Sequence, residues 1–235
     1  MAPGFERAPR LVRALVANPY DVCAWLVLAT TLLAVCATFR MYGIAWDEQG
    51  ETVYGSLLLR YYGSWFHDRS AFEFVNFRYY GGGMELPAAL LSRLSPLDEY
   101  ATRHLLCGLV GVAGIAATWR LARRVGGPRA GALAALLLLV SPTYYGNIFI
   151  NARDVPFATG ITVCLLLTLR ALDELPRIRT RTMLWFGLTL GWTISVRVGA
   201  VLGLLFWGVP MLLWLAARAR AGARCLLYTS PSPRD

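Results

Sequence analysis

Two carboxylates follow a tryptophan at Trp46-Asp47-Glu48, and a third acid stands at Glu51. Adjacent acids just beyond an apolar run are costly to desolvate, and a carboxylate held there suits a general base; an interfacial helix cap would use the same residues. Behind them the chain is rich in rings, among them Tyr54, Tyr61, Tyr62, Trp65, Phe66, Tyr79 and Tyr80. Such rings stack on sugars or form an interfacial belt. A second group is Asn151-Ala-Arg153-Asp154-Val-Pro156, where a cation and an acid separate two apolar runs. They could pair with each other, hold an anionic ligand, or make an ordinary turn. The third is Arg197, one charge interrupting 35 otherwise uncharged positions between Arg181 and Arg218. Its guanidinium could grip two phosphate oxygens at the membrane face or snorkel from a turn.

The elements that must position these groups are apolar. Hydrophobic residues make up 57% of the 235 and charged residues 16%. With a mean hydropathy of +0.49, the balance excludes soluble, disordered and fibrous classes. Uncharged runs predict an all-α polytopic bundle of about six membrane helices, near 22–39, 104–119, 130–150, 155–171, 182–196 and 198–217; a helix needs roughly 20 residues to cross the hydrocarbon. Ser95, Pro96 and Asp98 read as the cap, first residue and first-turn charge of a helix entering the second span, and Ser141-Pro142 as a kink in the third. The segment 40–103 forms a long first outer loop with interfacial helices near Leu57–Tyr62 and Leu86–Leu94, joined across a flexible Gly81-Gly82-Gly83.

The net charge of +9 comes entirely from arginine on the basic side, 23 against 14 acids. The arginines cluster between apolar runs, which indicates membrane topology and no nucleic-acid partner. Arg7, Arg10 and Arg13, then Arg120 to Arg129, Arg170 to Arg181 and Arg218 to Arg224 mark alternate ends as cytoplasmic, with the amino terminus among them. Nine of the 14 acids then fall on the outer side. The first apolar run is too long for a cleaved signal and reads as a retained anchor. Five cysteines without metal-ligand or paired spacing, and only His67 and His104, predict no metal and no cofactor.

Trp46-Asp47-Glu48 after a first span, an aromatic outer loop and a later Asn-x-Arg-Asp-Val-Pro-Phe turn together resemble the GT-C superfamily of membrane glycosyltransferases. Arg60-Tyr-Tyr, Arg78-Tyr-Tyr-Gly81, Arg103-His-Leu-Leu106, the run Arg120–Arg129 and Ser141-Pro142 are similar to landmarks of the bacterial protein O-mannosyltransferase-like branch. Relatives often carry Pro-Lys-Asp where Ala152-Arg153-Asp154 stands, so cation and acid are retained. The resemblance implies sugar transfer from a polyprenyl-phosphate carrier to a protein, lipid or glycan acceptor at the periplasmic face of a bacterial inner membrane. It puts Asp47 at the catalytic acid position with Glu48 its neighbour, and makes Arg153, Asp154, Arg197, Tyr79 and Tyr80 candidates for substrate binding. A transporter or channel component, or a scaffold without chemistry, are the alternatives. The run Cys225–Asp235 resembles one frame of a sequencing adapter; the expectation is a truncated GT-C domain over 1–224 that is inactive alone, the native chain continuing onward.

Overall fold

The structure, a computed structural model, describes residues 18–229, with side chains described up to Arg220 apart from Phe206. Arg7, Arg10 and Arg13 of the orientation argument, and 230–235 of the adapter-like run, lie outside the described residues. Among the described residues every regular element is helical.

The first membrane helix, α1 (Pro19–Thr38), starts where Asn18 Oδ1 accepts from the Tyr20 amide at 3.0 Å and Pro19 takes the first position. The next segment holds α2 (Glu48–Gly63), the single turn α3 (Ser70–Glu73), a 3₁₀ turn (Phe77–Tyr79) and α4 (Glu85–Leu94). Its apolar side is its own small core: Tyr54, Leu57, Leu58 and Ala71 pack with Phe74, Phe77 and Leu86.

The longest element, α5 (Glu99–Val140), is two helices joined at Gly127, whose φ of 82° lies in the left-handed region that favours glycine. Pro128 follows, already holding a helical φ for the second half. The chain reverses there: a Cβ on Gly131 would lie 2.7 Å from the Arg123 Cβ and 3.0 Å from the Trp119 carbonyl oxygen. Residues eight apart in one straight helix would stand about 12 Å apart along its axis, so the halves are antiparallel. They enclose α1 in a core of Ala24, Leu28, Ile115, Trp119 and Ala135.

The sequence expectation for the start of this element is corrected. Asp98, not Ser95, is the cap: its Oδ1 accepts from the Ala101 amide at 2.8 Å, while Ser95 Oγ holds the Leu97 amide at 3.1 Å. Asp98 is extended, with ψ of 164°, so 96–98 cannot belong to the helix.

Ser141 breaks the third segment as its Ser-Pro pair predicts, and its hydroxyl accepts from the Tyr144 amide to start α6 (Pro142–Asn147). Then follow α7 (Asp154–Asp173), α8 (Thr180–Val196), a 3₁₀ turn (Val198–Leu202) and α9 (Gly203–Thr229). Among the described residues four segments are long and apolar enough to cross a membrane: Pro19–Thr38, Glu99–Val140, Asp154–Asp173 and Val198–Arg220. Leu26, Leu33, Leu184 and Leu188 are exposed, as lipid-facing side chains are. The chain is an all-α membrane helical bundle.

Candidate functional site

The turn after α1 delivers three acids to three different places. Asp47 occupies the cap position of α2 without hydrogen-bonding the helix, and its side chain is exposed. Glu48 follows about 100° further round the helix and is 1% exposed. Its Oε1 stands 2.8 Å from His104 Nε2, and its Oε2 accepts from the Ala45 amide at 2.7 Å. Glu51, one turn beyond Asp47, returns to that side of the helix. Arg103 donates to its Oε2 through Nη2, and Arg153 Nε lies 2.9 Å from its Oε1.

Arg103 is itself nearly sealed and also faces Glu85 Oε1 at 3.7 Å. Two carboxyl groups and two guanidiniums therefore share one largely buried cluster. Burial pushes the Glu85 carboxyl above the usual carboxylate range; Arg103 opposes this and Glu51 adds to it. Such a cluster is expensive to desolvate and seldom stabilises more than a well-packed apolar set would. Among the described residues Arg103 Nε and Arg153 Nη2 are buried without a hydrogen-bond partner. The Arg153 guanidinium is offset partly by rings, with its carbon 4.3 Å from the Tyr80 centroid and 5.0 Å from that of Phe77.

The second sequence group forms the opposite wall. Asn151 Oδ1 accepts from the Asp154 amide at 2.8 Å and the Arg153 amide at 3.2 Å, and its Nδ2 donates to Asp154 Oδ2 at 3.0 Å. This Asx turn starts α7 and fixes the directions of both charged side chains. Arg197, in extended backbone between α8 and the following 3₁₀ turn, places Nη1 2.8 Å from Asp154 Oδ1.

The end of α8, just before Arg197, is held by an unexpected partner. Gly83 donates its amide to the Ser195 carbonyl at 2.9 Å, and Trp192 Nε1 donates to the Gly83 carbonyl at 3.0 Å. A Cβ on Gly81 would collide with the Ser195 carbonyl oxygen. The triglycine is thus no flexible hinge: it lacks side chains because its backbone packs onto the end of α8.

These walls enclose a cavity of about 290 Å³ lined by Asp47, Glu51, Asn151, Arg153, Asp154 and Arg197, with Trp46 at its rim. Of the residues singled out from sequence, Asp47, Arg153, Asp154 and Arg197 meet here. Tyr80 lies under Arg153, whereas Tyr79 is 68% exposed and takes a hydrogen bond from Arg78 at 2.9 Å. Glu48 does not line the cavity. Sequence reasoning passed over Glu51, Glu85, Arg103 and His104 as site residues. Two signals were available: Glu48 and Glu51 at helical i, i+3 spacing, and Arg103-His104 opening an otherwise apolar run. Among the described residues no three His, Cys, Asp or Glu side chains converge as metal ligands.

The cavity can hold a small anionic group against two guanidiniums while a free carboxylate faces it. No curated protein and no solved structure matches the chain. Residues 89–230, more than half of the 235, match the family described as dolichyl-phosphate-mannose-protein mannosyltransferase. The matched stretch includes Arg103, His104, Arg153, Asp154 and Arg197, and Asp47, Glu48, Glu51 and Glu85 precede it. An all-α membrane bundle with this match, as the resemblance of its motifs implies, is a membrane glycosyltransferase of the kind that uses a lipid-linked sugar: the chain belongs to the dolichyl-phosphate-mannose-protein mannosyltransferase family.

Proposed function

We propose that the protein moves a sugar from a polyprenyl-phosphate carrier to an acceptor hydroxyl at the outer, periplasmic face of a bacterial inner membrane. The observation that carries this reading is the meeting of the Asp47 carboxylate, unpaired among the described residues, with Arg153 and Arg197 in one cavity. Asp47 takes the proton from the acceptor hydroxyl as its oxygen attacks the anomeric carbon. The bond from that carbon to the carrier's phosphate oxygen breaks, and the electron pair leaves with the lipid phosphate. Arg153 steadies the departing phosphate through the Nη2 that has no protein partner. Arg197, shared with Asp154 at the rim, receives the phosphate's outer oxygens. Tyr80 holds the Arg153 plane, and Tyr79 is free to meet the sugar or acceptor.

The test uses a labelled polyprenyl-phosphate sugar in membranes carrying the protein. Wild type should transfer label and release polyprenyl phosphate. Arg153→Gln should raise the donor KM or lower transfer by about 10-fold or more, the scale of one lost charge-assisted contact. Transfer at the wild-type rate and KM by both Arg153→Gln and Arg197→Gln would overturn the assignment.

A further inference from the structure

Asp47 presents a difficulty for any mechanism that relies on it, because its own side chain is anchored by no hydrogen bond among the described residues. Its direction is set by the backbone of the short turn it occupies. That turn is closed twice. The Glu48 amide donates to the Ala45 carbonyl at 3.1 Å, and the Glu48 carboxylate accepts from the Ala45 amide at 2.7 Å. The remaining carboxylate oxygen reaches His104 on α5 at 2.8 Å. The other imidazole nitrogen of His104 lies 3.2 Å from the carbonyl oxygen of Phe39, the residue that ends α1.

One ring therefore ties together the end of α1, the Asp47 turn and α5. The bonding also fixes a proton count. The Phe39 carbonyl only accepts, so Nδ1 carries a hydrogen. The approach of Nε2 to Glu48 Oε1 requires a second hydrogen between them, so the pair holds one proton more than a neutral imidazole beside a carboxylate. Glu48 and His104 are 1% and 2% exposed. A polar pair that deep is weak evidence for stability, and apolar residues of similar volume would commonly serve as well. Its geometry instead specifies where the neighbouring residue points. His104 also lines a second cavity of about 460 Å³, together with Arg40, Tyr42, Asp98 and Tyr100. None of these forms a hydrogen bond or ion pair with the imidazole among the described residues.

We infer that His104 is a positioning residue which, by bonding Glu48, locks the Ala45–Glu48 turn and so aims the Asp47 carboxylate into the cavity it shares with Arg153 and Arg197. The inference rests on the reading of Asp47 as the base. It assigns Glu48 the same positioning role, with no contact to substrate.

The test compares wild type, His104→Ala, His104→Gln, Glu48→Gln and Asp47→Asn in membranes with a labelled polyprenyl-phosphate sugar, at matched amounts of inserted protein. His104→Ala should lower the maximal rate by about 10- to 100-fold, the cost of a small misplacement of a reacting group. Its donor KM should stay within about 2-fold, because neither Arg153 nor Arg197 touches the pair; the same transfer scale bounds that ratio. His104→Gln, with an amide that can still donate to Glu48, should recover much of the rate. Glu48→Gln should also stay active, since an amide can accept from Ala45 and donate to a neutral His104. Should His104→Ala fail to insert, Glu48→Leu cuts the same link at similar volume and should show the same drop in rate. A wild-type rate for His104→Ala or Glu48→Leu, with Asp47→Asn inactive, overturns the positioning role and leaves the base assignment standing. His104→Gln as slow as His104→Ala would assign the ring to packing and also overturn it. A wild-type rate for Asp47→Asn overturns the base assignment itself, whatever His104 does.

Discussion

Helix α7 begins and ends in arginine–carboxylate pairs, and the two ends have opposite characters. At its start, Arg153 joins a network in which Glu51 and Arg103 are 4% and 3% exposed in their side chains, while Asp154 pairs with Arg197 at the exposed rim. At its finish, about 30 Å away for 20 residues, Asp173 meets Arg124 with exposures of 58% and 36%. Arg170 and Glu174 form an i, i+4 pair beside them. The Arg124–Asp173 pair is solvated and screened, and contributes roughly 0–1 kcal/mol. The buried network carries a desolvation cost that packing alone would not require. Identical residue types thus do two jobs: at one end they finish helices in water, and at the other they hold charge ready in a cavity.

The sharpest break of this comparison is Arg103→Met. It leaves Glu85 without its guanidinium and Glu51 with Arg153 alone in a buried cluster, and should destabilise the protein by about 3–5 kcal/mol, read as a fall in the thermal unfolding midpoint in detergent. Gly81→Ala comes next, because its added methyl collides with the Ser195 carbonyl oxygen. A loss of about 1–3 kcal/mol is expected, together with weakened transfer as Arg197 shifts. An unchanged midpoint would sever the proposed link between the triglycine and α8.

Glu85 supplies a pH signature. Its carboxyl titrates higher in the folded protein than in the unfolded chain because burial opposes its charge. The folded state therefore holds that proton more tightly, and the associated stability is complete below the ordinary glutamate pKa. It is lost as pH rises from there through the raised folded value. Glu85→Gln should flatten this slope in unfolding measurements made across that window. The smallest effect belongs to the exposed end: Arg124→Gln should change stability by less than about 1 kcal/mol and leave transfer at the wild-type rate. A larger loss would erase the contrast between the two ends.

How legible these features were in the sequence depends on their range. Helices were readable from uncharged run lengths, and the expected 155–171 and 182–196 fall within Asp154–Asp173 and Thr180–Val196. The reversal between the second and third segments is carried by a local glycine-proline step, Gly127-Pro128. Arg197 stood out because an isolated charge in an apolar chain is conspicuous, and Asp47 and Arg153 because adjacent charges stand at the ends of apolar runs. The partners of Glu51 did not: Arg103 is 52 residues away in sequence, and no local pattern encodes that pairing. Gly81–Gly83 misled because a glycine run reads as freedom from sequence alone, whereas close backbone approach demands glycine as well. Ser95 lost the cap position to Asp98 because both can cap and both have extended backbone, but Ser95 closes α4 while the helix starts directly after Asp98.

The central claim is that chemistry belongs to the end of α7 with the buried charges, with Asp47 as the base. The most direct measurement is sugar transfer from a labelled polyprenyl-phosphate donor by the complete gene product in membranes, with Asp47→Asn beside Asp173→Asn at equal insertion. Asp47→Asn should lose about 100-fold or more of the rate, the scale of a removed general base, and Asp173→Asn should match wild type. Equal rates for the two variants would contradict the account.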